Sequence, residues 1–224
     1  MTDMTHTTEQ VQDYMARVPE SLARYLEDEV LPQYDHFDPA HQRDHARSVM
    51  QRSMAMGAHY ADTDAGMLLT AAACHDLGLC EGRACHHLVS GRIVRADQRL
   101  RQWFDGAQIE VIAEAAEDHR ASADRAPRTF YGMIVAEADR LIDPLVSMRR
   151  AVQYGLANYP ELTREQHYQR MVAHLHEKYA EGGYLHLWLP ESPNAAPLAE
   201  LRRMMADEPL MRQTFELLWR QEMP

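Results

Sequence analysis

Apolar residues recur at intervals of three and four along almost the whole 224-residue chain, and few stretches alternate with period two. That spacing gathers side chains on one stripe of an α-helix, so the pattern predicts an all-α fold. Residues 8–28 show it plainly, with Val11, Tyr14, Met15, Val18, Leu22 and Tyr25 in step. Asp38-Pro39 reads as an N-cap followed by proline at the first helical position, opening a helix through about Tyr60. Further helices are expected at about 63–76, 84–97, 106–119, 129–142, 145–157, 162–180 and 196–221, with breaks at Gly78, Asp143-Pro144, Gly182-Gly183 and Pro190–Pro197. No internal repeat, low-complexity tract or linker interrupts them. Residues 9–224 therefore read as a single compact helical bundle, with residues 1–8 frayed.

Charge narrows the partners. The formal net charge is −11 and the sequence pI about 5.6, which argues against a nucleic-acid partner, because binding a polyanion needs a basic footprint. A small phosphate ester needs only a local positive site and stays open. No run reaches the roughly 18 apolar residues of a membrane span, and the polar start lacks the apolar stretch of a secretory signal. Cys74, Cys80 and Cys85 are odd in number and lack CxxC spacing, which disfavours a disulfide framework or a structural zinc site and suggests a reducing, cytoplasmic setting.

The chemistry concentrates in AAACHDLGLCEGRACHHLVSG. His75 and Asp76 are adjacent at the end of an apolar helix. Helical phase places His119 on the stripe of Ile109, Ile112 and Ala116, and Asp139 on that of Val135 and Ile142. His86 shares a face with Val89 and Ile93, and His45 with His41 and Val49. A lone inward histidine is usually a hydrogen-bonded core residue, and a lone aspartate near a helix end is usually a cap. Six such groups on five helices are a different matter, since buried carboxylates and imidazoles are costly unless paired or metal-bound. His45, His75, Asp76, His86, His119 and Asp139 are too many for one tetrahedral zinc and suit two ions such as Mn, Fe, Co or Mg.

The order H…HD…H…H…D resembles the HD-domain superfamily of metal-dependent phosphohydrolases, in its binuclear subgroup. The matching pieces are DPAHQRDHARSV, CHDLG, HHLVSGRIV, EDHRAS and IVAEADRLID, spanning about 38–143. The resemblance implies an HD-type bundle with one ion on His45, His75, Asp76 and Asp139 and a second on Asp76, His86 and His119. It further implies that metal-activated hydroxide hydrolyses a small phosphate ester or nucleotide, with Asp76 at the centre of the catalysis. His41 is a candidate proton donor to the leaving group. Arg83, Arg120, Arg125 and Arg128 are candidate phosphate clamps, and Lys178 and Tyr184, beside Gly182-Gly183, are candidate pocket residues.

Two departures matter: Leu79 stands where some members carry lysine, and no GYP stretch follows His119, which disfavours cyclic dinucleotides. Two other readings share the ligand set, a di-iron oxygenase and a non-catalytic regulatory protein. Leu210, Phe215, Leu218 and Trp219 on the last helix could serve a homodimer as readily as the core.

Overall fold

The computed structural model describes residues 4–121, 125–190 and 192–223, with side chains from Thr8 onward. Among these residues there are eleven α-helices, several short 3-10 turns, one π-type turn and no strand. No helix among them is long and apolar enough to cross a membrane. The chain divides into two compact units, Met1–Asp139 and Arg140–Pro224.

The first unit contains α1 (Met4–Met15), α2 (Glu20–Tyr25), α3 (Arg43–Gly57), α4 (Ala65–Cys74), α5 (His86–Ala96), α6 (Gly106–Glu117) and α7 (Phe130–Asp139). Helix α4 is its axis. Its sequence AGMLLTAAAC is apolar on every face, and all ten residues are buried. Asp64 starts it by accepting the Met67 N–H at 2.8 Å. Helices α3, α6 and α7 pack on it. Truncating the fully buried Leu68 to alanine would cost about 2–5 kcal/mol through lost transfer energy and a cavity. The end of α4 thus delivers His75 and Asp76 into the interior.

Several boundaries differ from the sequence expectation. The backbone of residues 4–8 is already helical in α1, while residues 1–3 lie outside the described set. The run expected over 8–28 breaks near Pro19, and a π-type turn (Leu26–Val30) and a 3-10 turn (Leu31–His36) follow α2. The helix expected from Asp38 splits. Asp38 caps a 3-10 turn, Pro39–His41, and Gln42 is extended (φ −81°, ψ 177°) before α3. His41 and His45 therefore sit on different elements.

The second unit contains α8 (Pro144–Asn158), α9 (Arg164–Tyr179), α10 (Ala195–Ala206) and α11 (Glu208–Glu222). Its core gathers Met148, Val152, Met171, Leu175, Leu201 and Phe215. The single last helix expected from the sequence is two helices. Asp207 leaves helical geometry (φ −103°, ψ 89°), accepts the Leu210 N–H at 3.0 Å, and Pro209 opens α11. Phe215 and Leu218 are buried in this core, Trp219 packs against it, and Leu210 is exposed.

Candidate metal centre

Asp76 follows α4 with φ −109° and ψ 6°, a conformation that ends the helix and starts the 3-10 turn Leu77–Glu81. Tyr34, fully buried, locks this point. Its hydroxyl donates to the Ala73 carbonyl at 2.8 Å and accepts the Asp76 N–H at 3.2 Å. Two residues on, Gly78 lies directly against the start of α5. A Cβ there would meet the His86 carbonyl oxygen at 2.0 Å, and the Gly78 N–H donates to Ser90 Oγ at 2.9 Å. Only glycine allows this approach, and the approach brings His86 beside Asp76.

Helix α5 meets α6 just as closely. A Cβ on Gly91 would strike the Glu117 carboxylate at 2.2 Å. Glu117 is held by Arg95 and by Arg128, the latter at 2.5 Å. Asp118 next to it accepts the Arg128 N–H at 2.7 Å, Arg128 Nε at 2.9 Å and Arg125 at 2.9 Å. This clasp fixes the end of α6, where His119 follows. On the other side, Arg52 of α3 donates to the Ala138 carbonyl at 2.5 Å and ties α3 to α7 beside Asp139.

These elements converge six side chains. His45 Nε2 lies 3.2 Å from Asp139 Oδ1, 3.2 Å from His75 Nε2 and 3.6 Å from Asp76 Oδ2. His75 Nε2 lies 3.3 Å from Asp76 Oδ2 and 3.9 Å from Asp139 Oδ1. The other oxygen, Asp76 Oδ1, is 3.4 Å from His86 Nε2 and 3.3 Å from His119 Nε2, and those two nitrogens are 3.2 Å apart. His45, His75 and Asp76 form one group able to hold a metal ion, and Asp76, His86 and His119 form another.

The far side of three imidazoles decides what the centre wants. His75 Nδ1 meets the Ala72 carbonyl at 2.8 Å, His86 Nδ1 the Arg83 carbonyl at 2.8 Å, and His119 Nδ1 the Ala116 carbonyl at 2.6 Å. A carbonyl oxygen only accepts, so each Nδ1 carries the hydrogen and each neutral ring presents an Nε2 lone pair to the centre. Lone pairs facing one another at 3.2 Å repel, and a cation between them removes the repulsion. Backbone-oriented imidazoles with only nitrogen and oxygen donors fit a divalent metal.

The electrostatics agree. Burial alone would raise the Asp76 carboxyl, yet His75 and His119 hold it far below the usual range. Asp139 is likewise opposed by burial but drawn down to about 2 by His45, with the charges of His75 and His119 adding to it. Burial disfavours a charged His75, but Asp76 and Asp139 outweigh it and lift the imidazole to about 9. His86 goes the other way, its charged form disfavoured by burial, so the carboxylates favour positive charge locally, at His75 between Asp76 and Asp139.

The remaining sequence candidates fall as follows. His41 lies beside the centre, its ring edge-on to His45 with centroids 5.6 Å apart. Arg83 lies 3.8 Å from Asp38, and Arg120 donates to the Ala84 carbonyl at 3.3 Å. Arg128 is engaged by Asp118 and Glu117, and Arg125 shares Asp118 while staying half exposed. Lys178 and Tyr184 belong to the second unit. The Lys178 ammonium sits over the Tyr179 ring at 5.0 Å, and the Tyr184 N–H closes the end of α9 on the Glu177 carbonyl at 3.1 Å. The three cysteines are free, with Cys74 buried in α4 and Cys80 and Cys85 exposed. Sequence reasoning missed Tyr34, Gly78 and Arg52 as supports. Tyr34 sits in an irregular turn with no periodic signal, and Gly78 read only as a helix stop.

Fold and centre together define a helical protein with a buried His/Asp cluster able to hold metal. Residues 43–142 match the family model of the HD domain. All six convergent residues lie inside the match. HD domains bind divalent metals and are typical of metal-dependent phosphohydrolases. No curated protein and no solved structure matches the chain.

Proposed function

We propose that the chain is a metal-dependent phosphohydrolase that cleaves a small phosphate ester or nucleotide. The observation that carries this reading is the division of Asp76, with Oδ2 turned to His45 and His75 and Oδ1 to His86 and His119. One carboxylate shared between two nitrogen pairs is the layout for two neighbouring divalent ions, with Asp139 completing the first set. The all-nitrogen-and-oxygen donor set admits Mn, Fe, Co or Mg. Such ions supply acidity that makes water a nucleophile near neutral pH, and positive charge for the phosphoryl oxygens.

The chain supplies the rest. The carbonyls of Ala72, Arg83 and Ala116 keep three ligand rings in one tautomer and orientation. Arg83 and Arg120, in the segments flanking His86 and His119, offer planar forks to phosphate oxygens. Arg125 meets Asp118 through one guanidinium nitrogen and is half exposed, whereas Arg128 is committed to the α6 clasp. His41, whose ring lies edge-on to His45, is the candidate that would give a proton to the leaving oxygen.

The test is phosphate release from p-nitrophenyl phosphate, bis(p-nitrophenyl) phosphate and a panel of nucleoside monophosphates. Activity should vanish with a chelator, return with Mn²⁺, Co²⁺ or Mg²⁺, and be absent in Asp76→Ala. No release from any ester after metal restoration would refute the reading.

A further inference from the structure

We infer that Asp38 is a positioning residue that sets the tautomer and orientation of His41, so that proton exchange with the bound ester takes place at His41 Nε2. The inference rests on the phosphohydrolase reading for its chemistry, but the Asp38–His41 geometry stands on its own. His41 Nδ1 is 2.9 Å from Asp38 Oδ1 and 2.9 Å from Oδ2. A carboxylate only accepts, so Nδ1 carries a hydrogen and Nε2 is the nitrogen left for other work.

Asp38 is itself well held. Oδ1 accepts the Ala40 N–H at 3.0 Å, Pro39 fixes the turn, and Gln42 sets α3 off at a break from it. The Arg83 guanidinium lies 3.8 Å from Oδ2. The Arg83 carbonyl is also the acceptor that orients ligand His86. One residue of the 77–85 segment therefore touches both the dyad and the metal centre. A helix cap alone would not need the second oxygen on an imidazole, nor that imidazole standing beside His45.

The step balances simply. The oxygen of water bonds to phosphorus while the ester P–O bond breaks. A proton passes from His41 Nε2 to the leaving oxygen, and the proton released by the attacking water restores His41. The neutral imidazole left in between bears its hydrogen on Nδ1, the form that Asp38 selects.

Two measurements on the full chain test this. In the first, the chain is labelled with ¹⁵N-histidine, exchanged into Mg²⁺ or Zn²⁺, and its imidazole nitrogens are observed by long-range ¹H–¹⁵N correlation. His41 is assigned by its loss in His41→Gln. Neutral His41 should carry its hydrogen on Nδ1, and Asp38→Asn, which keeps a cap oxygen and offers an N–H to the ring, should move it to Nε2. The same tautomer in both proteins, or Nε2–H in the wild type, would overturn the inference.

The second measurement compares phenyl phosphate with p-nitrophenyl phosphate, whose leaving group needs little protonation. Asp38→Asn should lower kcat on phenyl phosphate by about ten-fold or more with little change in KM, and lower it much less on the nitrophenyl ester. On a His41→Ala background Asp38→Asn should change nothing further. An equal loss on both esters, or a full further loss in the double variant, would overturn it. An inactive wild type would refute the hydrolase reading, while the tautomer measurement still decides the dyad. Asp38 is half exposed, so its variants should fold, and circular dichroism checks that they do.

Discussion

Gly78→Ala asks whether the turn after Asp76 sets the spacing of the metal centre. The added Cβ would stand 2.0 Å from the His86 carbonyl oxygen, 2.7 Å from the Ser90 nitrogen and 2.8 Å from the His86 carbonyl carbon. All three are backbone atoms, so no rotamer change relieves them. Reaching even the 3.4 Å edge of ordinary contact requires about 1.4 Å of movement between the turn and the start of α5. Metal sites tolerate ligand displacements of only about 0.2 Å. The overpacking cost is about 1–3 kcal/mol. At 2–4 °C per kcal/mol for a chain of this size, that lowers Tm by roughly 2–12 °C. The ion held by Asp76, His86 and His119 should weaken by at least about ten-fold, while the ion on His45, His75, Asp76 and Asp139, none of which is among the atoms nearest the new Cβ, persists. Elemental analysis after dialysis against graded chelator, with thermal melts beside it, reads both effects. Gly106→Ala, where nothing lies within 4 Å of the new Cβ, is the control. Wild-type metal retention in Gly78→Ala, with an unchanged melt, would refute the spacing argument.

Other perturbations follow from the same geometry. Tyr34→Phe strands the Ala73 carbonyl and the Asp76 N–H and should cost about 1–3 kcal/mol in urea unfolding; no loss would remove Tyr34 as a support. Asp139→Asn should leave about one metal equivalent, on the His86/His119 side, and loss of neither ion would contradict the partition. Burial pushes the Glu117 carboxyl up, but Arg95 and Arg128 outweigh it and hold it below its ordinary 4.5. With a depressed folded value, its stabilisation is present above pH 4.5 and is lost as pH falls through the folded value. The gap in urea midpoint between wild type and Glu117→Gln should therefore narrow from pH 6 to pH 3.5, and a constant gap would refute the assignment.

Four of the convergent residues, His45, His86, His119 and Asp139, were legible from their phase with apolar positions, and His75 and Asp76 from their place at the end of an apolar run. His119 keeps step with Ile112 and Ala116 although α6 ends at Glu117 and His119 sits in the turn beyond it, and the apolar run before His75 announces a buried helix end. What periodicity cannot show is how two elements meet. His41 and His45 are four apart and read as one helix face, but Gln42 is extended and separates them. Asp38 read as a helix cap, yet its carboxylate also holds His41. Arg128 read as a phosphate clamp because it follows His119, whereas the structure spends its donors on Asp118 and Glu117. The last helix looked continuous because its apolar pattern runs on through Asp207-Glu208-Pro209, although cap and proline together were the signal for a new start. The division after Asp139 carries no glycine- or proline-rich stretch to mark it.

The central claim is that Asp76 joins two metal sites, and metal stoichiometry tests it most directly. The chain would be purified without chelator or added metal, analysed for its elements, and compared with Asp76→Ala after both are offered the same divalent ions. The account predicts about two equivalents in the wild type and loss of both in the variant. No bound metal in the wild type after reconstitution, or two equivalents retained by Asp76→Ala, would contradict it.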